Sequence, residues 1–519
     1  MSTANSAWST GPTLPPTRSW FTGTFAATTA VQGEAWAAVA GGSHALVVAP
    51  TGSGKTLAAF LWALDGLLNE PVPPPGQRCR VLYVSPLKAL AADVERNLRS
   101  PLAGIDEAAA RTHSAVAEVR VGMRTGDTPP GERRAFGTRP PDILITTPES
   151  LYLILTSAAR EGLRGVRTVI IDEVHAVAGS KRGAHLALSL ERLDAMLPAP
   201  AQRIGLSATV RPAETVARFL AGTRAADDGG RPVVTVQSSA AKEIDLAVVV
   251  PVPDLGDIAP TAPTPAGPGT SPTPADPGAP EAGGPDGSIW PHVEERLTDL
   301  IGAHRSTIVF ANSRRGAERL TARINECSAQ RPALGPARGA PSTAPGSAGD
   351  EGGVGSVVAR AHHGSMSREE RTAVEAALKA GRLPAVVATS SLELGIDMGA
   401  VDLVAQVGSP PSVASTLQRI GRAGHQIGAV SRGVVFPTHR GDLLAAAVIA
   451  NRAAAGAIEP LRMPANPLDV LAQQIVAMVA VEDWERDDLT RVVRRAAPFA
   501  DLGERSLDAV LDMLAGRYP

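Results

Sequence analysis

Short apolar runs, each closing on a small or polar residue, punctuate the chain. In its first half they read "HALVVAP", "RVLYVSP", "DILITTP", "TVIIDEV" and "RIGLSAT". Enough chain for a helix separates each run from the next. "KTLAAFLWALDGLL" and "GAHLALSLERLDAML" place apolar residues at helical spacing. Continuous apolar strands alternating with helices predict a parallel sheet covered on both faces. The pattern then repeats with "STIVFAN", "AVVATSS", "DLVAQVG" and "GVVFPT", and with helices such as "REERTAVEAAL" between them. The fold class is therefore α/β. Two domains follow one another along the chain, over residues 18–235 and 289–460.

Residues 1–17 read as a disordered N-terminus and 236–288 as a linker. Within that linker, 251–288 carries eleven prolines, too many for a ladder or a helix, and reads as a disordered insertion. A second biased stretch, 331–356, reads as a loop that interrupts the second domain. Residues 461–519 are mostly helical in pattern and read as the start of a third domain.

Composition changes this picture little. Apolar residues at 44% and charged residues at 20% are ordinary for a globular protein of this length, which itself exceeds one core. The net charge of −2 matters more. A chain that bound nucleic acid mainly through bulk charge would be basic, so any such binding here must use placed contacts. Cys79 and Cys327 lie far apart and form neither a disulfide framework nor a zinc cluster. The start lacks a basic segment followed by an apolar run, and no apolar stretch approaches the roughly 20 residues of a membrane span. A cytoplasmic chain with no membrane association and no zinc is the expectation.

Chemistry enters at "VVAPTGSGKT". This glycine-rich loop follows a strand and precedes a helix, so its backbone N–H groups can wrap a polyphosphate. Thr51, Gly52, Ser53 and Gly54 form the loop. Lys55 supplies a point charge toward the phosphates, and the Thr56 hydroxyl can bind Mg²⁺. A second strand, "VII", runs into two adjacent carboxylates, "DE". Buried charge at a strand end is costly unless compensated. Beside a P-loop it has a purpose: Asp172 holds Mg²⁺, and Glu173 polarises the water that attacks the γ-phosphate. His175 completes "DEVH" and can link this site to "SAT", through Ser207 and Thr209.

"APTGSGKT", "DEVH" and "SAT" in this order resemble a superfamily 2 helicase, whose two domains are RecA-like. The resemblance implies further roles. "VATSSLELGIDMG" resembles motif V, in which Thr389 and Ser390 face nucleic acid while Gly395 and Asp397 face the nucleotide. "QRIGRAGH" resembles motif VI, in which Arg422 is an arginine finger and Gln418 and Arg419 line the same ATP cleft. Many relatives carry a second arginine where this chain has His425. "FAATTAVQGEAW" resembles a Q motif, with Gln32 reading adenine. Lys88, Arg124 and Thr147 in the first domain, and Asn312, Ser313, Arg314 and His363 in the second, fall in segments that track nucleic acid. A metal pair at His362 and His363 lacks the supporting carboxylates or cysteines.

Longer segments narrow the family. "YVSPLKALAADVERNL", "TVIIDEVHAVAGSKRGAHLALSLERL", "TIVFANSRRGAERLTARINE", "AHHGSMSREER" and "NPLDVLAQQIVAM" together resemble the large helicase-related (Lhr) family. That resemblance implies an ATP- and Mg²⁺-dependent monomeric motor that moves 3′ to 5′ on single-stranded DNA, unwinds DNA or RNA:DNA duplexes, and serves DNA repair. It implies that 461–519 is an incomplete winged helix, whose apolar surface should be poorly covered. An RNA remodeller of the same superfamily and a non-hydrolysing ATP-gated clamp are the rivals; the presence of Glu173 and Arg422 argues against the clamp.

Overall fold

The computed structural model describes residues 11–50, 52–238, 243–252, 288–331, 357–395, 398–424 and 430–517. The chain divides into two compact units, 1–241 with 460–519, and 242–459. The first holds a seven-stranded sheet built from β1 (His44–Val48), β2 (Val81–Val84), β3 (Val121–Arg124), β4 (Ile143–Thr146), β5 (Thr168–Ile171), β6 (Gln202–Ser207) and β7 (Val233–Gln237). Its order is β3-β4-β2-β5-β6-β1-β7, and every neighbouring pair is parallel. The second holds β8 (Ile244–Val248), β9 (Thr307–Ala311), β10 (Ala359–His362), β11 (Ala385–Ala388), β12 (Leu403–Val407) and β13 (Ser431–Phe436). Their order is β10-β11-β9-β12-β13-β8, again all parallel.

The apolar runs explain the inner strands. Every residue of β1, β2 and β4 is buried. Alternate residues serve opposite faces: Leu46 and Val48 enter one core, and Ala45 and Val47 the other. The sheet needs helices on both sides for that reason. The proline-rich surroundings of 236–288 concealed β8, whose alternating burial fits an edge strand of the second sheet. The two biased segments of the sequence fall almost wholly outside the described residues. No described helix is long and apolar enough to cross a membrane.

The C-terminal helices differ from expectation. Leu471, Ile475, Met478, Leu489, Val493, Phe499 and Leu507 share one core with Leu82, Val169 and Leu190 of the first sheet and its helices. Their inward faces are therefore covered, by the first unit itself. Only outward residues such as Val476 and Val479, each about half exposed, face solvent.

A buried polar clasp accompanies this packing. Arg192, on the helix Lys181–Met196, donates to Gln474 Oε1 at 2.8 Å and to the carbonyls of Leu155 and Ala477. Those carbonyls lie at the C-terminal ends of the helices Pro148–Leu155 and Leu468–Val479, where intrahelical partners run out. Burial pulls the Arg192 guanidinium down to about 10, and Tyr152 stands under it at 5.8 Å. Gln474 Nε2 in turn donates to the His185 carbonyl and to Ser189 Oγ, each at 3.1 Å. Replacing Gln474 by Leu takes the 2.8 Å acceptor from a buried cation and leaves it the two carbonyls. Gln474→Leu should cost about 2–3 kcal/mol in chemical denaturation. A loss under about 0.5 kcal/mol would mean that the clasp contributes nothing and that apolar contact alone holds the helices.

Candidate nucleotide and nucleic-acid sites

The P-loop is shaped by two glycines. Gly52 and Gly54 adopt φ of 83° and 81°, a left-handed backbone that side chains rarely take. At Gly54 a Cβ would also lie 2.6 Å from Gln32 Nε2. The loop delivers Lys55 to the first turn of the helix Lys55–Asn69, where it is buried and donates from Nζ to the Ala49 carbonyl at 3.1 Å. Thr56 follows, half-buried, and Thr51 lies outside the described residues. Gln32 closes a capping box with Thr29 and reaches the Gly54 carbonyl at 3.5 Å. Its amide thus braces the loop, in addition to the adenine role expected of it.

Asp172 and Glu173 leave β5 into the interior. Asp172 accepts from the Glu173 N–H at 2.9 Å and from the Tyr83 hydroxyl on β2. Burial and the charge of Glu173 push the Asp172 carboxyl up to about 6, against the pull of Tyr83 and of the Lys55 charge. Tyr83 was not foreseen. The signal was present in "VLYV", since a tyrosine in a wholly buried strand must find a partner for its hydroxyl. A carboxylate and a hydroxyl are hard oxygen ligands suited to Mg²⁺, which takes one or two protein ligands plus phosphate oxygens and water. Asp172 and Thr56 fit that ion by their chemistry.

Glu173 has φ of 44°, unusual for a residue with a side chain. His175 connects it to β6. His175 Nδ1 receives the Ala208 N–H at 3.2 Å and lies 3.2 Å from Ser207 Oγ. An amide can only donate, so Nδ1 is an acceptor and the ring proton sits on Nε2. The Glu173 carboxylate, 3.5 Å from Nδ1, therefore takes no proton from it. The structure brings together the "DEVH" and "SAT" residues that the sequence joined, with Thr209 exposed just beyond.

The residues assigned to nucleic acid in this unit divide by exposure. Lys88 is exposed and pairs with Asp127 at 2.5 Å. Arg124 is half-buried, with its guanidinium 5.5 Å over the Phe136 ring. Thr147 is buried, and its hydroxyl caps the helix Pro148–Leu155 by accepting from the Ser150 N–H.

In the second unit, Ser313 caps the helix Arg314–Ala329, and Arg314 donates to Ser365 Oγ at 2.7 Å. Asn312 is exposed and donates to the Ser409 carbonyl at 2.8 Å. His363, expected as a strand contact, is buried with Nε2 on Glu318 at 2.5 Å. Its neighbour His362 is held by Ser391 and Glu375, so each histidine of the pair has its own glutamate. Thr389 is half-buried and Ser390 exposed.

Arg419 does not stand open to a ligand. It donates to Glu393 Oε2 at 2.9 Å and Gln406 Oε1 at 2.7 Å, and lies 5.1 Å over the Phe310 ring. All three of these contacts lie inside this unit. Arg422 donates to the Glu393 carbonyl at 3.0 Å. Glu393, unforeseen in the sequence, thus joins motifs V and VI. Gln418 and Gly395 are half-buried nearby in the chain, while Asp397 and His425 lie outside the described residues.

With this geometry in hand, the chain can be set beside known proteins. The DEAD/DEAH box helicase family matches residues 29–218, and the helicase conserved C-terminal domain matches 352–426. The winged helix domain of large helicase-related proteins matches 451–519. The chain is 57% identical to the Lhr helicase/probable uracil glycosylase of Mycolicibacterium smegmatis over its whole length, and covers 32% of that protein. It is 40% identical to ATP-dependent helicase Lhr-Core protein 2 of Thermococcus barophilus, covering 97% of this chain and 52% of that one. The solved structure of Mycobacterium smegmatis helicase Lhr bound to ssDNA and AMP-PNP matches with a TM-score of 0.82 at 56% identity, covering 96% of this chain and 57% of that one. The chain thus spans about a third to a half of the curated relatives it matches.

Asp172 carries charge only when ionised, so binding of a magnesium–nucleotide complex should weaken as pH falls through about 6. The Tyr83 hydroxyl donates to the ionised carboxylate and holds its pKa down. Tyr83→Phe keeps the ring against Phe60 but removes that donor, so the midpoint should rise by about one pH unit. Calorimetric titration between about pH 5 and pH 8 reads this directly. An unmoved midpoint would show that the hydroxyl does not stabilise the carboxylate.

Proposed function

This chain belongs to the large helicase-related family, and from that premise we propose that it is an ATP-hydrolysing motor that translocates 3′ to 5′ on single-stranded DNA and unwinds DNA or RNA:DNA duplexes. The observation that carries the reading is the cluster at the carboxyl ends of the strands: the Lys55 charge acting on Asp172, the Glu173 N–H on Asp172, and His175 on Ser207 and Ala208.

Each residue has a task that its geometry permits. The N–H groups of the Gly52–Gly54 loop cradle phosphate, and Lys55 exchanges the Ala49 carbonyl for phosphate oxygens. Thr56 and Asp172 would hold Mg²⁺, which when bound offsets charge on the phosphates. Glu173 orients the attacking water and accepts its proton. His175 carries the state of that corner to β6. Arg422 acts as the cation that steadies charge on the γ-phosphate as the bond breaks. Thr389, Ser390, Asn312 and Lys88 offer hydroxyls, amides and charge to a sugar–phosphate backbone.

DNA rather than RNA as the tracked strand is supported by the ssDNA in the structure of the M. smegmatis relative. The decisive test is ATP hydrolysis with and without single-stranded DNA or RNA, for the unaltered chain and for Glu173→Gln. DNA should stimulate turnover. The substitution should lower turnover at least about a hundredfold while leaving ATP binding within about threefold. Stimulation by RNA alone would move the reading to an RNA remodeller, and full activity in Glu173→Gln would remove Glu173 from the chemistry.

A further inference from the structure

His362 ends β10 and is 1% exposed. Its ring is gripped at both nitrogens: Nδ1 stands 2.9 Å from Ser391 Oγ, and Nε2 3.0 Å from Glu375 Oε1 on the helix Arg368–Lys379. Its carbonyl is used as well. It accepts from the Ser391 hydroxyl at 3.0 Å and from the Thr389 N–H at 3.3 Å. One residue therefore holds the first and third positions of the turn that follows β11, and the residue between them is the exposed Ser390. A second residue of the same segment fixes the neighbouring element, since His363 meets Glu318 on the helix whose first turn carries Arg314.

We propose that His362, backed by Glu375, is a positioning residue that sets the Thr389–Leu392 turn, so that Thr389 and Ser390 present one fixed arrangement of hydroxyl and amide to a nucleic-acid backbone. The physical argument is one of entropy and geometry. A short turn after a strand has several backbone states, and a phosphate contact made from one of them is weakened by the population of the rest. Contacts from the ring and the carbonyl of a single buried residue remove that freedom before the polymer arrives. The Glu375 carboxylate fixes the ring so that Nδ1, not a carbon edge, faces Ser391. His362 itself touches no polymer and no nucleotide in this account.

This inference rests on the nucleic-acid-dependent ATPase reading above. The experiment uses the full chain and reads two quantities in one assay: the oligo(dT) concentration that half-stimulates ATP turnover, and the KM for ATP. Ser391→Ala deletes a single oxygen and leaves Thr389 and Ser390 in place. Ser391→Ala and His362→Ala should each raise the half-stimulating concentration about five- to tenfold, with the KM for ATP within about twofold. Glu375→Gln should follow in the same direction. His362→Asn places an amide near the Nδ1 position and should recover most of the loss.

Equal half-stimulating concentrations in the unaltered chain and Ser391→Ala would overturn the positioning role and leave the function untouched. A parallel rise in the KM for ATP, with no rescue by His362→Asn, would reduce His362 to a general packing residue and also overturn it. An unaltered chain that no polymer stimulates would overturn the functional reading, and this inference with it.

Discussion

A parallel sheet covered on both faces can keep charge in one place only, the ends of its strands. That constraint organises both units. In the first, β1 runs into the P-loop, β5 into Asp172 and Glu173, β6 into Ser207 and Ala208, and β4 into Thr147. Because every pairing is parallel, all of these emerge at the carboxyl edge. In the second, β9 delivers Asn312 to Arg314, β10 the two histidines, and β11 Thr389 to Ser391. The catalytic residues proposed here are separated widely in sequence. The direction of the strands gathers them.

Gathering charge at a buried edge creates a second problem, because each polar group must be satisfied before any ligand arrives. The chain answers with its own atoms. Lys55 rests on the Ala49 carbonyl, Asp172 on Tyr83 and the Glu173 amide, and His175 on Ser207 and Ala208. In the second unit, Arg419 takes Glu393 and Gln406, and Arg422 takes the Glu393 carbonyl. Ligand binding at such an edge is an exchange of partners more than a gain of them. Lys55, which donates to a neutral backbone carbonyl, is placed to exchange that partner for phosphate oxygens. Arg419, with two charge-assisted partners and an aromatic face, is poorly placed to exchange.

The same constraint explains what the sequence disclosed and what it concealed. Nine strands were legible as apolar runs, and all nine lie inside their sheets. The four that escaped, β3, β7, β8 and β10, are the four edges. An edge strand need not be apolar throughout: β8 exposes alternate residues, β7 exposes three of its five, and β3 is only half-buried along its length. The P-loop and "DEVH" were legible because backbone geometry and charge there tolerate few residue types. Tyr83, Glu393 and Glu375 were not, because each acts through a partner distant in sequence. Thr147 was legible as a conspicuous hydroxyl and proved to be a helix cap, a use that Thr-Pro at a helix start also fits.

The C-terminal helices show that boundaries in sequence and in packing need not coincide. The winged-helix match begins at residue 451, yet residues 460–519 form one compact unit with the first sheet. The helix Lys181–Met196 is the intermediary. Toward the sheet, its Glu191 and Asp194 hold Arg203 of β6, each at 2.7 Å in a fully buried cluster. Toward the C-terminal helices, its Arg192 holds Gln474. Removing one partner from the buried Arg203 ion cluster costs several kcal/mol, so that contact does not open readily. β6 is also the strand that ends in Ser207, the partner of His175. In packing terms the described C-terminal helices belong to the first unit, joined to it by the same helix that braces β6.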